Sequence, residues 1–366
     1  MDEFVLRPHE NQCVKRDPIL TSKGFLNEEY QKKPTKSAKE VNLIAEDLLA
    51  HKLRGLFAEK LEPNPWTKDA VEVLEKELSE AYGKPWKDDR DYTLLTYSGY
   101  YTKDRDQFLA INYWTTFSFL MDDLLINEKD RNVTSAIQSR ILIYYELITI
   151  KYRSLPSKWS DKYKNGKTAD STAMDKMMTK AMEYMKKALS AAQYDRHVQH
   201  VVDWIDSYVE INNYGFNDKV MSYEQFFDLR EKESAHGVLA ICAEMSCAYD
   251  PTVHKMVDNK IYKAYTAALG RHTVLVNEIY GLKKRLRDGR LKYSYLYLIM
   301  AHEGCSAQTA MDRMVYEIHD AWTIAMNYAE QIRLMKDKAI YEYVLEMVCL
   351  TKGNLYWASK TRRYIV

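Results

Sequence analysis

The segment WTTFSFLMDD, residues 114–123, combines an apolar, helix-forming run with two adjacent carboxylates at its end, Asp122 and Asp123. A carboxylate pair beside apolar side chains is costly to bury unless cations offset its charge. Mg²⁺ suits such a pair, because it is a hard ion that takes oxygen ligands and often accompanies substrate phosphates. The alternative is an ordinary solvated helix end, which this segment alone does not exclude.

Apolar residues recur at three- and four-residue spacing along most of the chain, which is the pattern of amphipathic helices. Only 12 glycines and 8 prolines occur among the 366 residues. Because sandwiches, barrels and parallel α/β sheets need many turns, this scarcity favours an all-α bundle whose helices are long enough to enclose a cavity. From residue 104 onward we predict helices at about 104–127, 131–154, 172–193, 195–214, 222–248, 253–287, 291–302, 306–332 and 335–364.

The first 37 residues differ from the rest, because they are polar, carry three prolines and show no helical period. We therefore predict an irregular N-terminal arm over residues 1–37 and a single helical domain over residues 38–366. A chain of this length can bury a large core without disulfides.

The charge and cysteine content limit the partners and the compartment. Lys and Arg (53) nearly balance Asp and Glu (52), so the net charge is +1, and no long basic block indicates nucleic acid or an anionic membrane as a partner. The five cysteines form no Cys-x-x-Cys pair, which is typical of structural thiols in a reducing compartment. No apolar run is long enough to span a bilayer. We expect a cytoplasmic protein, not an integral membrane protein, that is a monomer or a homodimer.

A second informative segment, residues 277–285, reads NEIYGLKKR. At about 100° per residue, its residues Asn277, Gly281, Lys284 and Arg285 fall on one helix face. An amide oxygen and two cations on one face could hold a magnesium-bound phosphate. The alternative is an ordinary basic helix surface.

Two further segments contain arginines beside other polar or aromatic groups. Residues 226–237 read FFDLREKESAHG, where Arg230 could clamp a phosphate bidentately or pair with a neighbouring glutamate. Gly237 in this helical pattern indicates a helix break or a close backbone approach. Residues 353–364 read GNLYWASKTRRY and gather a tryptophan, two arginines and two tyrosines. The plain alternative is a C-terminal helix whose cations favour its own dipole.

In order and spacing, these four segments together resemble the motifs of class I terpene synthases. The pair Asp122-Asp123 matches the start of that family's aspartate-rich motif. Arg230 precedes Asn277 by 47 residues, and the family's phosphate-sensing arginine precedes its second metal motif by a similar interval. Each segment is a weak signal by itself, so the resemblance rests on the combination.

The C-terminal part of the chain extends this resemblance. The stretch from Trp357 to Arg363 and Tyr364 is similar to the family's Trp-x5-Arg-Tyr ending, in spacing and in residue type. Residues 298–306, LIMAHEGCS, resemble the segment that follows the family's second metal motif. The likeness covers about residues 60–366.

The resemblance implies a fold and an activity. The fold would be a single α-helical domain of the class I terpenoid synthase type that encloses a deep apolar pocket. The activity would be the Mg²⁺-dependent ionisation of a linear isoprenyl diphosphate, C15 farnesyl or C20 geranylgeranyl. Cyclisation of the carbocation would give a sesqui- or diterpene and release diphosphate. The cofactor would be Mg²⁺, three ions by the family's pattern, with the ion at the second motif in question.

The resemblance also implies roles for individual residues. The candidate metal ligands are Asp122, Asp123, Asn277 and Glu278. The candidate diphosphate-binding residues are Arg230, Lys284, Arg285, Arg363 and Tyr364. The candidates for coupling phosphate binding to ionisation are Glu233 and Ser234. The candidate aromatic walls that face the carbocation are, in order of preference, Phe119, Trp357 and Trp114.

The sequence departs from the family pattern at both metal motifs. The third acid of the first motif would fall at Ile126. In the second motif the family has Ser or Thr four residues after the Asn and Glu eight residues after it, where this chain has Gly281 and Arg285. A guanidinium close to a metal ion repels it. Either Arg285 holds the diphosphate directly, with Glu278 or a water completing the remaining coordination, or the site does not assemble.

Three alternative functions compete with this interpretation. A non-catalytic isoprenoid-binding helical protein would have kept the fold and lost the second metal site. A prenyl-elongating enzyme of the same fold would need a second aspartate-rich motif, which residues 277–285 do not provide. A helical scaffold without a small ligand would leave the four segments as a coincidence.

Overall fold

The computed structural model describes residues 64–102, 104–126, 169–215, 220–287 and 291–364. The predicted N-terminal arm and the helix predicted at 131–154 lie outside these ranges. Within them all regular structure is helical, which confirms the all-α prediction. The α-helices are α1 Thr67–Tyr82, α2 Tyr92–Gly99, α3 Arg105–Ile126, α4 Ala169–Ala188, α5 Ala191–Gly215, α6 Tyr223–Glu233, α7 His236–Ser246, α8 Lys260–Tyr280, α9 Leu282–Arg287, α10 Tyr295–Glu303, α11 Ala307–Leu334 and α12 Lys338–Lys360.

The helix predicted over 222–248 is two helices. Helix α6 ends at Glu233, and Ala235 adopts a left-handed conformation with φ 54° before α7 begins at His236. Gly237 marks a close approach of α7 to α5, because a Cβ atom there would lie 2.4 Å from Nδ1 of His200.

The helix predicted over 253–287 begins later and is also divided. It begins after Asn259, whose side chain accepts hydrogen bonds from the backbone N–H groups of Ile261 and Tyr262 and so caps α8. Helix α8 ends at Tyr280, and Gly281 joins it to the short helix α9. Asn277 and Lys284 therefore lie on two consecutive helices at one end of the bundle.

The core is centred on α8 and α11, which pack along each other for most of their length. Leu269 and Val276 of α8 and Met311 and Ile318 of α11 are fully buried between them. Each such side chain contributes about 1.5–3 kcal/mol through burial of apolar surface. The long helices thereby form a fixed support for the polar groups at their ends.

Helices α2 and α12 cross at a glycine contact that positions the C-terminus. A Cβ atom at Gly353 would lie 2.4 Å from Cα of Gly99, and Oγ of Ser98 donates a hydrogen bond to the Gly353 carbonyl at 3.3 Å. Because the backbones touch here, the residues after α12 lie next to the loop that precedes α2.

Among the helices in the described ranges, none combines the length and the apolar character that a membrane span requires.

Candidate active site

An open cavity lies between α3, α5, α6, α8, α9 and the C-terminal residues. One part of its wall is mainly apolar or aromatic, and the other part is charged. The first part is formed by Phe119, Trp204, Tyr208, Ile211, Met221, Phe226, Leu229 and Ala235. The second is formed by Asp122, Arg230, Glu233, Ser234, Asn277, Lys284, Arg285, Arg363 and Tyr364. Residues separated by more than 200 positions in the sequence thus meet at one end of the bundle.

The aspartate pair at the end of α3 is bound by two cations. Nζ of Lys284 lies 2.5 Å from Oδ1 of Asp123 and 3.4 Å from Oδ2 of Asp122. Nη2 of Arg363 donates to Asp123 at 3.0 Å and also contacts Asp122. Asp122 is the partly exposed member of the pair and lines the cavity, whereas Asp123 lies behind it. The first motif therefore presents one carboxylate to the cavity.

Asp123 accepts hydrogen bonds from two more groups, Nη1 of Arg90 at 2.9 Å and the Tyr92 hydroxyl at 2.6 Å. Burial raises the pKa of this carboxyl, but the positive charges of Arg363 and Lys284 outweigh that effect and hold the pKa well below its usual range. Asp123 consequently stays ionised and keeps Lys284 and Arg363 close to the cavity.

The second motif is arranged differently, because its carboxylate does not reach the cavity. Glu278 is fully buried and accepts hydrogen bonds from Nε of Arg230 at 2.9 Å, Nη2 of Arg285 at 2.5 Å and the backbone N–H of Tyr295 at 2.8 Å. The prediction of Glu278 as a metal ligand is therefore not supported by its position. Adjacent residues on a helix point about 100° apart, so Asn277 faces the cavity and Glu278 faces away.

Asn277 is also held by protein groups. Its Oδ1 accepts from Nη2 of Arg230 at 3.4 Å, and its Nδ2 donates to the Tyr364 hydroxyl at 2.9 Å. Arg230 in addition forms an ion pair with Glu233, its neighbour on α6. Arg230 is thus connected to Asn277, Glu233 and Glu278 at once, and Ser234 lines the cavity next to Glu233.

Two of the cavity cations, Lys284 and Arg230, have lowered pKa values, in part because other cations lie close to them. Burial, and after it the positive charge of Arg363, lower the pKa of Lys284 although Asp122 and Asp123 oppose the shift. Burial also lowers the pKa of Arg230, and the nearby Arg285 adds to that effect. Neighbouring positive charges that destabilise one another favour binding of an anion between them.

Of the three predicted aromatic walls, the structure brings only Phe119 to the cavity. Trp357 lies behind Phe119, with ring centroids 4.7 Å apart, and its Nε1 donates to the Asp91 carbonyl at 2.9 Å. Trp114 is fully buried against Phe117, Trp204 and other core residues. Both tryptophans are buried in the core, and neither lines this cavity.

Sequence reasoning missed several residues that contact the site. The Tyr208 hydroxyl donates to Asp122 at 3.1 Å, and Asp123 is bound by Arg90 from the loop before α2 and by Tyr92, the first residue of α2. Tyr208 belongs to an amphipathic helix and Arg90 to a polar loop, and neither position carries a local pattern that indicates a site. Their partners on α3 are more than 30 residues away in the sequence.

The loop before α2 also holds the C-terminus. Arg362 forms hydrogen bonds to both carboxylate oxygens of Asp91, at 2.7 and 2.9 Å, and Oγ1 of Thr361 donates to the Arg90 carbonyl at 2.8 Å. Asp91 itself has φ 58°. This contact fixes the backbone immediately before Arg363, whose side chain then enters the cavity.

The two motifs fit Mg²⁺ unequally. Asp122 offers a carboxylate toward the cavity, as a hard cation requires. At the second motif the cavity has one amide oxygen, from Asn277, a glycine without a side chain at 281 and a cation at 285. No group of three or more Asp, Glu, His or Cys side chains with metal-binding geometry occurs in the part of the chain that the structure describes. The residues fit magnesium at the first motif and not at the second.

Solved structures of terpene synthases share this fold. Linalool/nerolidol synthase from Streptomyces clavuligerus, solved with 2-fluorogeranyl diphosphate, aligns with a TM-score of 0.63 at 13% identity, over 81% of this chain and 100% of that one. 2-Methylisoborneol synthase from Streptomyces coelicolor A3(2), solved with Mg²⁺ and 2-fluoroneryl diphosphate, aligns with a TM-score of 0.65 at 14% identity, over 82% and 93% of the two chains. The predicted class I terpenoid synthase type of fold is thereby confirmed.

Sequence relatives agree with the structural ones. (E)-2-epi-beta-caryophyllene synthase from Selaginella moellendorffii is 24% identical over 51% of this chain, a match that spans about half, 53%, of that relative's length. Terpene synthase 2 from Physarum polycephalum is 24% identical over 68% of this chain and 70% of the relative. The family model described as terpene synthase family 2, C-terminal metal binding, matches residues 113–323, which is more than half of the chain. The predicted family is confirmed, and this chain belongs to the terpene synthases.

Proposed function

We propose that this protein is a Mg²⁺-dependent terpene synthase that ionises a linear isoprenyl diphosphate and cyclises the resulting carbocation. The observation that carries the proposal is the convergence of four cations beside Asp122 at one end of a cavity that is otherwise largely apolar. The four cations are Arg230, Lys284, Arg285 and Arg363. A cavity with one charged end and one apolar end suits a molecule with a diphosphate head and a hydrocarbon tail.

The charged end would act on the leaving group. As the allylic C–O bond breaks, both electrons of the bond go to the diphosphate, so negative charge accumulates there. Cations already fixed at this place stabilise that charge without reorganising. Arginine is well suited because its planar fork of N–H donors matches two phosphate oxygens. Magnesium bound at Asp122 would add Lewis-acid stabilisation of the same oxygens.

Binding would exchange ion pairs that exist without substrate. Lys284 and Arg363 are paired with Asp122 and Asp123. A diphosphate would compete for the two cations, and magnesium would compete for the Asp122 carboxylate. Each charged group thus keeps a counter-charge throughout, which avoids a buried unpaired ion.

The apolar end would protect and fold the carbocation. Phe119, Trp204, Tyr208 and Phe226 border the cavity with aromatic rings. An aromatic face contributes about 0.5–2 kcal/mol to the stability of a nearby cation. These walls would also exclude water, so that the carbocation reacts with its own double bonds before it is quenched.

The test is a product assay. Purified protein with Mg²⁺ is offered C10, C15 and C20 isoprenyl diphosphates, and volatile products are identified by gas chromatography with mass spectrometry. A cyclic hydrocarbon or alcohol from the C15 or C20 substrate is the expected result. Longer diphosphates would instead support a prenyl-elongating enzyme.

One observation favours a second candidate, a non-catalytic isoprenoid-binding protein. The second motif offers the cavity no carboxylate, because Glu278 is buried and Arg285 stands where the family has Glu. Saturable binding of an isoprenyl diphosphate without any turnover, at several Mg²⁺ concentrations, would favour this candidate. The cytoplasmic location, the monomeric or dimeric state, and the division into an arm and one domain stay predictions.

A further inference from the structure

We call the part of the site around Asn277, Gly281 and Arg285 the second-motif half. We propose that this half binds diphosphate oxygens with two arginines, Arg230 and Arg285, in place of a magnesium ion. The protein would then bind two metal ions with each diphosphate, one fewer than the three that the resemblance implies. This inference rests on the proposed function, since it concerns how the same site holds the same class of ligand.

The first step is that Glu278, the carboxylate of the second motif, is already bound by protein groups. Oε1 of Glu278 accepts from Nε of Arg230 and Nη2 of Arg285, and Oε2 accepts from the backbone N–H of Tyr295. The side chain is fully buried. A metal ion in the cavity cannot reach Glu278 unless both arginines leave it.

The second step is that Arg285 has donors to spare. It lines the cavity, and two hydrogen bonds fix it, one from Nη2 to Glu278 and one from Nη1 to the Tyr293 carbonyl at 2.9 Å. A guanidinium carries five N–H donors. Arg285 is therefore held in place by two of them, with others left for phosphate oxygens, and little side-chain entropy remains to be lost on binding.

The third step concerns the oxygen ligands that remain. Asn277 is bonded through Oδ1 to Arg230 and through Nδ2 to Tyr364. Gly281 supplies no hydroxyl, and a Cβ atom there would lie 2.7 Å from the Asn277 carbonyl oxygen. A single amide oxygen that already accepts from a cation is a poor site for Mg²⁺, which prefers carboxylates and water.

The charge around position 285 also disfavours an ion. The cavity wall carries the four cations Arg230, Lys284, Arg285 and Arg363 and the carboxylates Asp122 and Glu233. Asp123 and Glu278, directly behind the wall, pair with the same cations, so these eight charges balance. A carboxylate at position 285 would leave an excess of two negative charges for an Mg²⁺ ion to balance. Arg285 leaves no such excess, and it repels an ion nearby.

The metal count tests the inference directly, with inorganic pyrophosphate as the probe and Mn²⁺ in place of Mg²⁺. Free Mn²⁺ is measured by electron paramagnetic resonance while the full-length protein is titrated with Mn²⁺ at saturating pyrophosphate. Two bound ions per chain, or fewer, are expected. Three bound ions per chain would overturn the inference, and so would a failure of the protein to bind pyrophosphate.

Variants at position 285 test the role of the arginine. Arg285→Gln removes a charge-assisted contact and should weaken pyrophosphate binding, measured by calorimetry, roughly 10- to 100-fold without raising the number of bound Mn²⁺ ions. Arg285→Lys keeps the charge but loses the fork and should give an intermediate loss. The control Arg333→Gln removes an exposed arginine that pairs with Glu330 outside the cavity and should change neither quantity.

The outcomes separate this inference from the proposed function. Unchanged pyrophosphate affinity in Arg285→Gln, with the fold intact by circular dichroism, would overturn the inference whatever the product assay shows. If Arg285→Gln does not fold, Arg285→Lys decides alone, and wild-type affinity in that variant would contradict the bidentate role. A wild-type protein that makes no terpene but binds pyrophosphate with two ions would overturn the proposed function only.

Discussion

The two metal-motif halves of the cavity differ in where their carboxylates lie. At the first motif, Asp122 faces the cavity and is bound by Lys284 and Arg363. At the second, Glu278 lies beneath the cavity wall and is bound by Arg230 and Arg285. The same kinds of charge are present in both halves, but the first offers an anion to the ligand and the second offers cations. The position of a carboxylate relative to the surface therefore decides whether it binds a metal or orients an arginine.

This comparison predicts its largest effect at Asp122. In the variant Asp122→Asn, the cavity loses the carboxylate that we propose to bind magnesium, so turnover of the isoprenyl diphosphate should fall roughly 1,000-fold or more. The measurement is the initial rate of product formation at saturating Mg²⁺. The matched control is Asp258→Asn, at an exposed aspartate that pairs with Lys263, and it should keep the wild-type rate. Full activity in Asp122→Asn would remove Asp122 from the site.

Whereas the Asp122 variant should lose activity, a variant of Glu278 should mainly lose stability. Glu278→Gln removes the buried carboxylate that Arg230 and Arg285 share and leaves Arg285 without a carboxylate partner, which should lower the free energy of unfolding by about 3–5 kcal/mol. Urea denaturation followed by circular dichroism measures this change. Glu330→Gln breaks the exposed pair with Arg333 and should cost about 1 kcal/mol or less. Equal losses in the two variants would contradict the role of Glu278 as a buried counter-ion.

The sequence predicted the fold class and the order of the polar segments, but not every contact of the site. The helical period and the order of the four polar segments were enough for the fold class and the family, because both depend on spacing along the chain. The 100° step between adjacent helical residues separates Asn277 from Glu278, but the sequence could not show which of the two faces the cavity, because that depends on how α8 packs against its neighbours. It also could not reveal Arg90 or Tyr92, because a contact over more than 30 residues is set by the tertiary fold.

Two of the three predicted aromatic walls, Trp114 and Trp357, do not line the cavity, and for Trp114 the reason is the direction of its side chain. Phe119 and Trp114 belong to the same apolar helix, and five residues of helical rotation separate their directions by about 140°. Phe119 consequently reaches the cavity, and Trp114 packs in the core against Trp204. Composition alone does not distinguish an aromatic wall from a core residue, because both are apolar.

The pH dependence of stability should sharpen the contrast between the charged cavity and the core behind it. Burial, and then the nearby His200, lower the pKa of His197 to about 3, and burial lowers that of His236 to about 4 despite its bond to the Thr266 carbonyl. The unfolded chain takes up these protons near pH 6.5. The contribution of these two neutral histidines to the free energy of unfolding should therefore be fully present above about pH 6.5. Between about pH 6 and 4 the free energy of unfolding should fall by about 1 kcal/mol per pH unit for each histidine.

Asp123 should not contribute in that range. Its pKa is depressed in the folded state, so its stabilising effect is present above the unfolded carboxyl value near 4 and is lost only below it. Urea unfolding at pH 7.5, 6.0 and 5.0 measures the slope. His197→Phe should reduce the slope, and the exposed-site control His302→Gln should leave it unchanged. A wild-type stability that is constant from pH 7.5 to 5.0 would contradict the buried, neutral state of these histidines.

The smallest effect is expected at the contact that holds the C-terminus. Arg362→Ala removes a partly exposed ion pair with Asp91 and should cost about 1 kcal/mol or less of stability. Because Arg363 is then less firmly positioned, kcat/KM should fall by a factor of about 5. Arg333→Ala is the control for loss of an exposed arginine. A kcat/KM equal to that of the control would mean that Arg363 needs no support from this contact.

The central claim is that distant polar residues converge to hold a diphosphate with unequal use of metal in the two halves. Its most direct test is a crystal structure of the protein with pyrophosphate and Mn²⁺, with manganese located by anomalous scattering. The account predicts pyrophosphate between Arg230, Lys284, Arg285 and Arg363, with manganese at Asp122 and none at Asn277. Pyrophosphate bound elsewhere, or a manganese ion coordinated by Asn277 beside Arg285, would contradict it.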